Sequence, residues 1–258
     1  MKVVIFAGGL GTRISEETET RPKPMVEIGG KPILWHIMKL YSHYGFNDFI
    51  ICLGYKGYVI KEYFMHYFLH NSDITIDIGS NKMEILDSHT EAFKVTLVDT
   101  GLETKTAGRL QRVQKYVGEE DFMLTYGDGV SNVNLKELLE FHKSHKKIAT
   151  VTSIQLEARF GGIEVGKEGT VLSFREKAKD ESKWINGGFF VLKPEVFNYL
   201  KGEVAGKMWE DEPLESLAND RQLVAYRHTG FWKCMDAMRD KIELEDLWKN
   251  NQAQWKVW

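Results

Sequence analysis

The chain has 258 residues, 43% hydrophobic and 28% charged, with a formal net charge of -3. That is long enough for a sizeable core, and the mildly acidic balance argues against a nucleic-acid groove or an anionic membrane surface as the main partner. No apolar run approaches membrane-spanning length, and Cys52 and Cys234 are too few and too far apart for a disulfide framework, so a reducing compartment, the cytoplasm, is expected.

In chain order, Val3–Phe6 predicts a buried strand. It runs directly into "FAGGLGTR", Phe6 to Arg13, and then into polar Ser15–Thr20, where no helix is expected. Pro32–Tyr44 predicts a helix, with Pro32 in its first turn and Ile33, Ile37, Leu40 and Tyr41 on one side. Phe49–Leu53 predicts a strand containing Cys52 as a packed thiol, and Val59–Leu69 a helix. Val95–Val98 and Phe122–Thr125 predict strands on either side of a helix at Ala107–Tyr116. Asn134 with Glu137 three residues on has the pattern of a capping box, opening a helix to about His145, and Ala149–Ile154 follows as a strand.

This alternation predicts βαβ units and a mainly parallel sheet covered on both faces. The second half reads differently. Phe160–Val165 and Thr170–Arg175 flank a turn and predict an antiparallel pair, Trp184–Leu192 is strand-like around Gly187 and Gly188, Leu223–Tyr226 is a short strand, and Asp236–Trp248 predicts a last helix. No linker, repeat or low-complexity tract divides the chain. The expectation is one α/β domain: residues of about 1–150, a β-rich part of about 151–235, and a C-terminal helix of about 236–250.

The glycines after the first strand fail both familiar phosphate-loop patterns. Ile14 stands where a dinucleotide fingerprint needs its third glycine, and Arg13 and Ile14 stand where a Walker loop needs Gly-Lys. What remains is a strand followed by a long loop with Arg13, Arg21 and Lys23, its end stiffened by Pro22 and Pro24. Backbone N–H groups without a neighbouring Cβ, together with fixed cations, suit phosphate oxygens.

Taken together, "GGLGTRISEETETRPKPMVEIGGKPILWHIM", "TYGDG" at Thr125–Gly129, "FREK" at Phe174–Lys177, "NGGFFVL" at Asn186–Leu192 and "GFWKCMD" at Gly230–Asp236 resemble the signature of sugar-1-phosphate nucleotidylyltransferases. The resemblance covers nearly the whole chain in order and leans to the cytidylyl branch of that family. It implies a Rossmann-like, mixed, mainly parallel central sheet flanked by helices, with a β-rich sugar-binding second half. It also implies a reaction in which CTP and α-D-glucose 1-phosphate give CDP-glucose and pyrophosphate, with Mg²⁺ as cofactor. Such a displacement needs positioning and charge neutralisation rather than a general base, because the nucleophile is an ionised phosphate oxygen.

By the same resemblance, Arg13 and Lys23 act on the reacting phosphates. Phe6, Ala7, Gly8, Gly9, Leu10, Gly11, Thr12, Thr104, Arg109 and Gly127 contact the nucleotide, and Asp128 and Asp236 bind the metal. Lys177, Asn186, Gly187 and Gly188 take the sugar phosphate, with Lys179 competing for the role of Lys177 because the chain continues Glu-Lys-Ala-Lys. Plainer readings stay open: Asp236 as the N-cap of the last helix, Asp128 as part of a turn, Arg109 as a helix-surface charge, Gly187-Gly188 as a bulge. His66 with His70, and His142 with His145, have helical spacing but no further zinc motif, so surface or packing roles are expected. The aromatics of "VIKEYFMHYF" suit core or a subunit interface, and the apolar "QWKVW" tail would dock on this subunit or a neighbour. The resemblance implies a homo-oligomer, and a hexamer is one form it would take. Competing functions are the same reaction with dTTP or UTP, a non-catalytic sugar-nucleotide sensor, and a dinucleotide oxidoreductase, the last disfavoured by Ile14.

Overall fold

Val3, Ile5 and Ala7 alternate with Val4 and Phe6 along the strand Lys2–Ala7, and the two sets enter different cores. A strand sends successive side chains to opposite faces, so an uninterrupted apolar run demands cover on both. The computed structural model describes residues 1–155, 162–165, 170–175 and 184–258, with backbone only for 162–165 and 171–175. A seven-stranded sheet runs in the order Leu223–His228, Ala149–Ile154, Ile185–Leu192, Phe122–Tyr126, Lys2–Ala7, Asp48–Leu53, Lys94–Asp99. Only Ile185–Leu192 runs against both its neighbours; the other pairs are parallel. The strands come from both halves of the sequence. Helices Ile33–His43, Leu135–His145 and Met238–Lys249 cover one face, and Thr106–Val117 and Glu212–Asn219 the other.

The expected strands and long helices are present, with ends shifted by a residue or two. Asn134 caps its helix by accepting from the backbone N–H groups of Lys136 and Glu137, but Glu137 meets the Asn134 side-chain amide at 2.8 Å instead of closing a capping box. The expected antiparallel pair is Gly162–Val165 with Val171–Arg175.

Two expectations are corrected. Ser15–Thr18 forms one helical turn where polar composition predicted none. Gly11 takes the left-handed region, Ile14 is buried in the core, and the Thr18 hydroxyl donates to the carbonyls of Gly11 and Ile14, so the loop is tacked down at three points. The final helix begins at Met238 rather than Asp236, because the Asp240 carboxylate accepts from the backbone N–H groups of Asp236 and Ala237 and takes the capping role. Asp236 is thereby released from the helix start. The hairpin Ser72–Asp77 and Lys82–Ser88 was not legible as strands: its residues are largely exposed, and no buried face imposes an apolar alternation.

The C-terminal tail docks on its own chain. Trp255 is fully buried, and it gathers with Trp35, Trp248 and Trp258 around His36. His36 Nε2 donates to the Ile28 carbonyl at 2.8 Å, which leaves Nδ1 to accept from Trp255 Nε1 at 3.4 Å. Burial pushes the His36 imidazole down to about 4 from its ordinary 6.5, and His142 likewise to about 4. The unfolded chain therefore binds protons between about pH 6.5 and 4 while these two groups stay neutral in the fold, so stability is full above that window and falls through it. Urea midpoints should drop from pH 7 to pH 5, and His36→Gln should reduce that drop. An identical pH slope in the variant would remove His36 from the account.

The two histidine pairs have packing and surface roles. His142 Nδ1 and His145 Nε2 share the Thr150 hydroxyl, and the His66 and His70 rings lie 6.1 Å apart with no third metal-binding side chain grouped with them among the described residues. Cys52 is buried and Cys234 partly exposed, both as free thiols. Among the described residues no helix is long and apolar enough to cross a membrane.

Candidate active site

The parallel strands Lys2–Ala7, Asp48–Leu53 and Phe122–Tyr126 end at one edge of the sheet, with Ala7 beside Leu53 and Phe6 beside Tyr126. Ligands of open α/β sheets bind outside such carboxyl ends. A cavity of about 600 Å³ lies there, lined by the whole stretch Phe6–Arg13 and by Lys23, Thr104, Arg109, Gly127, Asp128 and Asp236. These are residues from distant parts of the chain that the sequence singled out for nucleotide, phosphate and metal, and the fold brings them together.

Arg109 is buried, not a helix-surface charge. Its Nη1 donates to Leu53 O at 2.9 Å, to the Thr100 hydroxyl at 2.7 Å and to Gly101 O at 2.9 Å, while Nη2 donates to Gly8 O at 2.8 Å. One guanidinium thus ties together carbonyls at or shortly after the ends of three strands. It also dictates the residue at position 8: a Cβ there would lie 2.2 Å from Arg109 Nη1. Thr104 is buried as well, and its hydroxyl accepts from Arg112 Nη1 at 2.7 Å.

Lys23 reaches the cavity from a short 3₁₀ turn, Lys23–Met25, preceded by extended Pro22 and including Pro24. Its ammonium donates to Asp128 Oδ2 at 2.6 Å and to Asp236 Oδ1 at 2.7 Å. Burial alone would lower the Lys23 pKa, but the charge of Asp128 and the bonds from both carboxylates hold the ammonium well above its ordinary range. Burial works to raise Asp236; the hydrogen bond and charge of Lys23 overcome it and hold the carboxyl below the usual range. Arg13 is exposed, with Nη1 3.7 Å from Asp236 Oδ2, so its fork faces the open cavity.

A third group stands beside the two carboxylates. The ligand atoms of Asp128, Cys234 and Asp236 all lie within 4.8 Å of one another. Two carboxylates already holding one cation form a donor set that suits a divalent ion. Sequence reasoning missed Cys234; the available signal was its place two residues before Asp236 in "KCMD".

Asn186, Gly187 and Gly188 do not line this cavity but adjoin it through Tyr126, which does: Asn186 Oδ1 accepts from Gly188 N at 2.9 Å, and Asn186 Nδ2 meets the Tyr126 hydroxyl, which in turn donates to Glu210. Gly188 has φ +85°, and a Cβ there would meet Tyr126 Cδ2 at 2.6 Å. The pairing register with Ala149–Ile154 shifts beside these glycines, between Val151 and Ser153, so an irregularity does occur here. Gly187 offers its carbonyl to Trp232 Nε1 at 2.7 Å. Tyr126 and Trp232 were not singled out from sequence. Lys177 and Lys179 lie outside the described residues.

A glycine-rich loop at the carboxyl edge of a mixed sheet, with lysine and paired carboxylates over one cavity, suits a phosphorylated nucleotide. The chain belongs to the nucleotidyl transferase family, whose profile matches residues 2–236. It is 54% identical, over the full length of both chains, to a protein named glucose-1-phosphate cytidylyltransferase in Salmonella typhimurium and to another of that name in Salmonella typhi. A mannose-1-phosphate guanyltransferase of Saccharomyces cerevisiae is 26% identical, across 98% of this chain and 66% of its own length. Among solved structures, a UDP-glucose pyrophosphorylase complexed with UDP-glucose aligns with a TM-score of 0.68 over 97% of this chain and 98% of its own, at 19% identity, which confirms the fold.

Proposed function

We propose that the protein transfers the cytidylyl group of CTP to α-D-glucose 1-phosphate, forming CDP-glucose and releasing pyrophosphate. The observation that carries this reading is the full-length 54% identity to the Salmonella enzymes. The cavity supports it, since its lining supplies groups suited to the triphosphate and to a divalent ion. A phosphate oxygen of the sugar phosphate attacks the α-phosphorus in line. As the new P–O bond forms, the bond to the β-phosphate oxygen breaks and that oxygen leaves with pyrophosphate. No proton needs to be removed from the nucleophile.

The roles are those the resemblance implies, and the positions of the residues support them. The loop Gly8–Thr12 presents backbone N–H groups to the triphosphate, exposed Arg13 neutralises the leaving pyrophosphate, and Lys23 holds the α-phosphate. Thr104, Arg109 and Gly127 shape the nucleotide end of the cavity. Asn186, Gly187 and Gly188 face the sugar, whose phosphate falls to Lys177. Asp128 and Asp236 would hold Mg²⁺. When bound, that ion supplies positive charge between two anionic reactants.

We infer a cytoplasmic location from the cysteine usage and a homo-oligomer from the family resemblance. Supporting the second point, Tyr58, Met65 and Phe68 of the helix Gly57–His70 and Ile76, Met83, Ile85 and Leu86 of the neighbouring hairpin are exposed, an apolar surface suited to a second copy.

The test is pyrophosphate release from glucose 1-phosphate, Mg²⁺ and each nucleoside triphosphate in turn. Release chiefly with CTP is expected. Release chiefly with dTTP or UTP would move the base assignment, and nucleotide binding without turnover with any of them would replace the enzyme by a sensor.

A further inference from the structure

Lys23 and Asp236, which meet at the cavity, are 213 positions apart, yet both are anchored to one helix. The turn Lys23–Met25 passes through a single residue, Val26, into the hairpin of Glu27–Ile28 with Lys31–Pro32. Val26 donates its N–H to Lys23 O at 3.1 Å, accepts from Ile33 N at 2.9 Å and is fully buried. Gly29 and Gly30, both at positive φ, make the two-residue hairpin turn. Every residue from Lys23 to Gly29 is thus set in a turn, a strand pair or the core. The helix Met238–Lys249 grips the tip of that hairpin. Glu245 Oε2 accepts from Gly29 N at 2.8 Å, and the Trp248 indole packs so closely that a Cβ at Gly29 would lie 2.0 Å from its Nε1. One turn earlier, Lys241 pairs with Glu17 in the helical turn that follows Arg13. Lys241, Glu245 and Trp248 share one face of the helix by their spacing of four and three. At the start of the same helix, the Asp240 carboxylate accepts from the backbone N–H of Asp236 at 3.0 Å.

Resting on the reading above that Lys23 and Asp236 serve the displacement, we propose that Glu245 is a positioning residue for Lys23, and that the helix Met238–Lys249 is a spacer fixing that lysine against Asp236 from outside the cavity. Glu245 does not line the cavity, so it acts through the hairpin and not on substrate. The contacts close a ring. Lys23 leads to the hairpin, the hairpin to Glu245, the helix back to Asp236, and Asp236 to the Lys23 ammonium at 2.7 Å. A lysine ends in a point charge on a flexible four-carbon stem, so its ammonium is aimed only where the backbone beneath it is held. The Glu245–Gly29 bond supplies that hold at the hairpin's tip. The other Glu245 oxygen faces Lys249 at 3.5 Å, an ion pair open to solvent on the lysine side and of little weight.

The experiment is a double-mutant cycle of Glu245→Ala with Lys23→Met in the full-length protein, read by steady-state kinetics with CTP, glucose 1-phosphate and Mg²⁺. Ala keeps the helix and removes the acceptor. Glu245→Ala should lower kcat about tenfold and change KM for CTP less than about twofold. Glu245→Gln, whose amide oxygen still accepts from Gly29, should regain most of the rate. In the Lys23→Met background the same Ala substitution should cost less than about twofold, because the side chain it aims is gone. Urea midpoints confirm that each variant is folded under assay conditions. Unchanged turnover in Glu245→Ala, an equal loss in both backgrounds, or a Glu245→Gln variant as slow as Glu245→Ala overturns the positioning role. A wild type without turnover, or Lys23→Met at the wild-type rate, overturns instead the reading on which the proposal rests.

Discussion

Replacing Lys23 by Met should lower turnover about 100- to 1000-fold, the usual loss when one preorganised charge is removed from a site of developing negative charge. It should also do something that a merely damaged site would not: tighten Mn²⁺ binding in the absence of nucleotide by about tenfold or more. The reason lies in where the ammonium rests. Lys23 Nζ is bonded to Asp128 at 2.6 Å and to Asp236 at 2.7 Å, and its neighbours hold it charged. It occupies the edge that a divalent ion would take, so the two cations compete for the same oxygens. Met matches the length of the stem, carries no charge, and leaves Asp128 without its cation and Asp236 with only the more distant Arg13 guanidinium at 3.7 Å. Steady-state kinetics and Mn²⁺ paramagnetic resonance measure the two effects independently. Undiminished turnover would remove Lys23 from the chemistry, and weaker Mn²⁺ binding in the variant would show that lysine and metal do not share a place.

The backbone around this site was largely legible in the sequence, because strands buried on both faces must be apolar throughout and the helices between them carry a periodic apolar stripe. Lys2–Ala7, Asp48–Leu53 and Phe122–Tyr126 could therefore be read, and with them the edge at which a ligand would sit. What the sequence did not reveal depends on tertiary partners. The helical turn Ser15–Thr18 exists because Ile14 is pulled into the core and Thr18 folds back onto Gly11 and Ile14, neither of which leaves a local pattern. Asp236 had the outward form of a helix cap, and only the position of the Asp240 carboxylate shows that the cap is supplied from within the helix. Cys234 has a local signal only in its place two residues before Asp236; its nearness to Asp128, more than a hundred positions earlier, arises across a strand pair and leaves no pattern in the sequence.

Arg109→Met should cost about 1–3 kcal/mol of stability and lower nucleotide-dependent activity about 100-fold, two effects with one structural cause. The guanidinium is buried and serves the Gly8, Leu53 and Gly101 carbonyls and the Thr100 hydroxyl. Met fills part of the volume but donates nothing, so Gly101 O loses this donor, while Gly8 O keeps only the Tyr55 N–H at 3.2 Å and Leu53 O keeps Thr100. The start of the phosphate loop is then held less firmly, and small misplacements of reacting groups are costly. Arg109→Lys should rescue little, because one ammonium cannot reproduce a planar fork spread over acceptors from three strand ends. Urea denaturation and steady-state kinetics separate the possibilities. A residue that served only as a nucleotide contact would raise KM with the urea midpoint unchanged. A purely structural brace would lower the midpoint, yet Arg109→Lys would regain normal KM once the protein was held folded at low temperature. The geometry demands loss of both in both variants, since the same four bonds hold the fold and aim the loop.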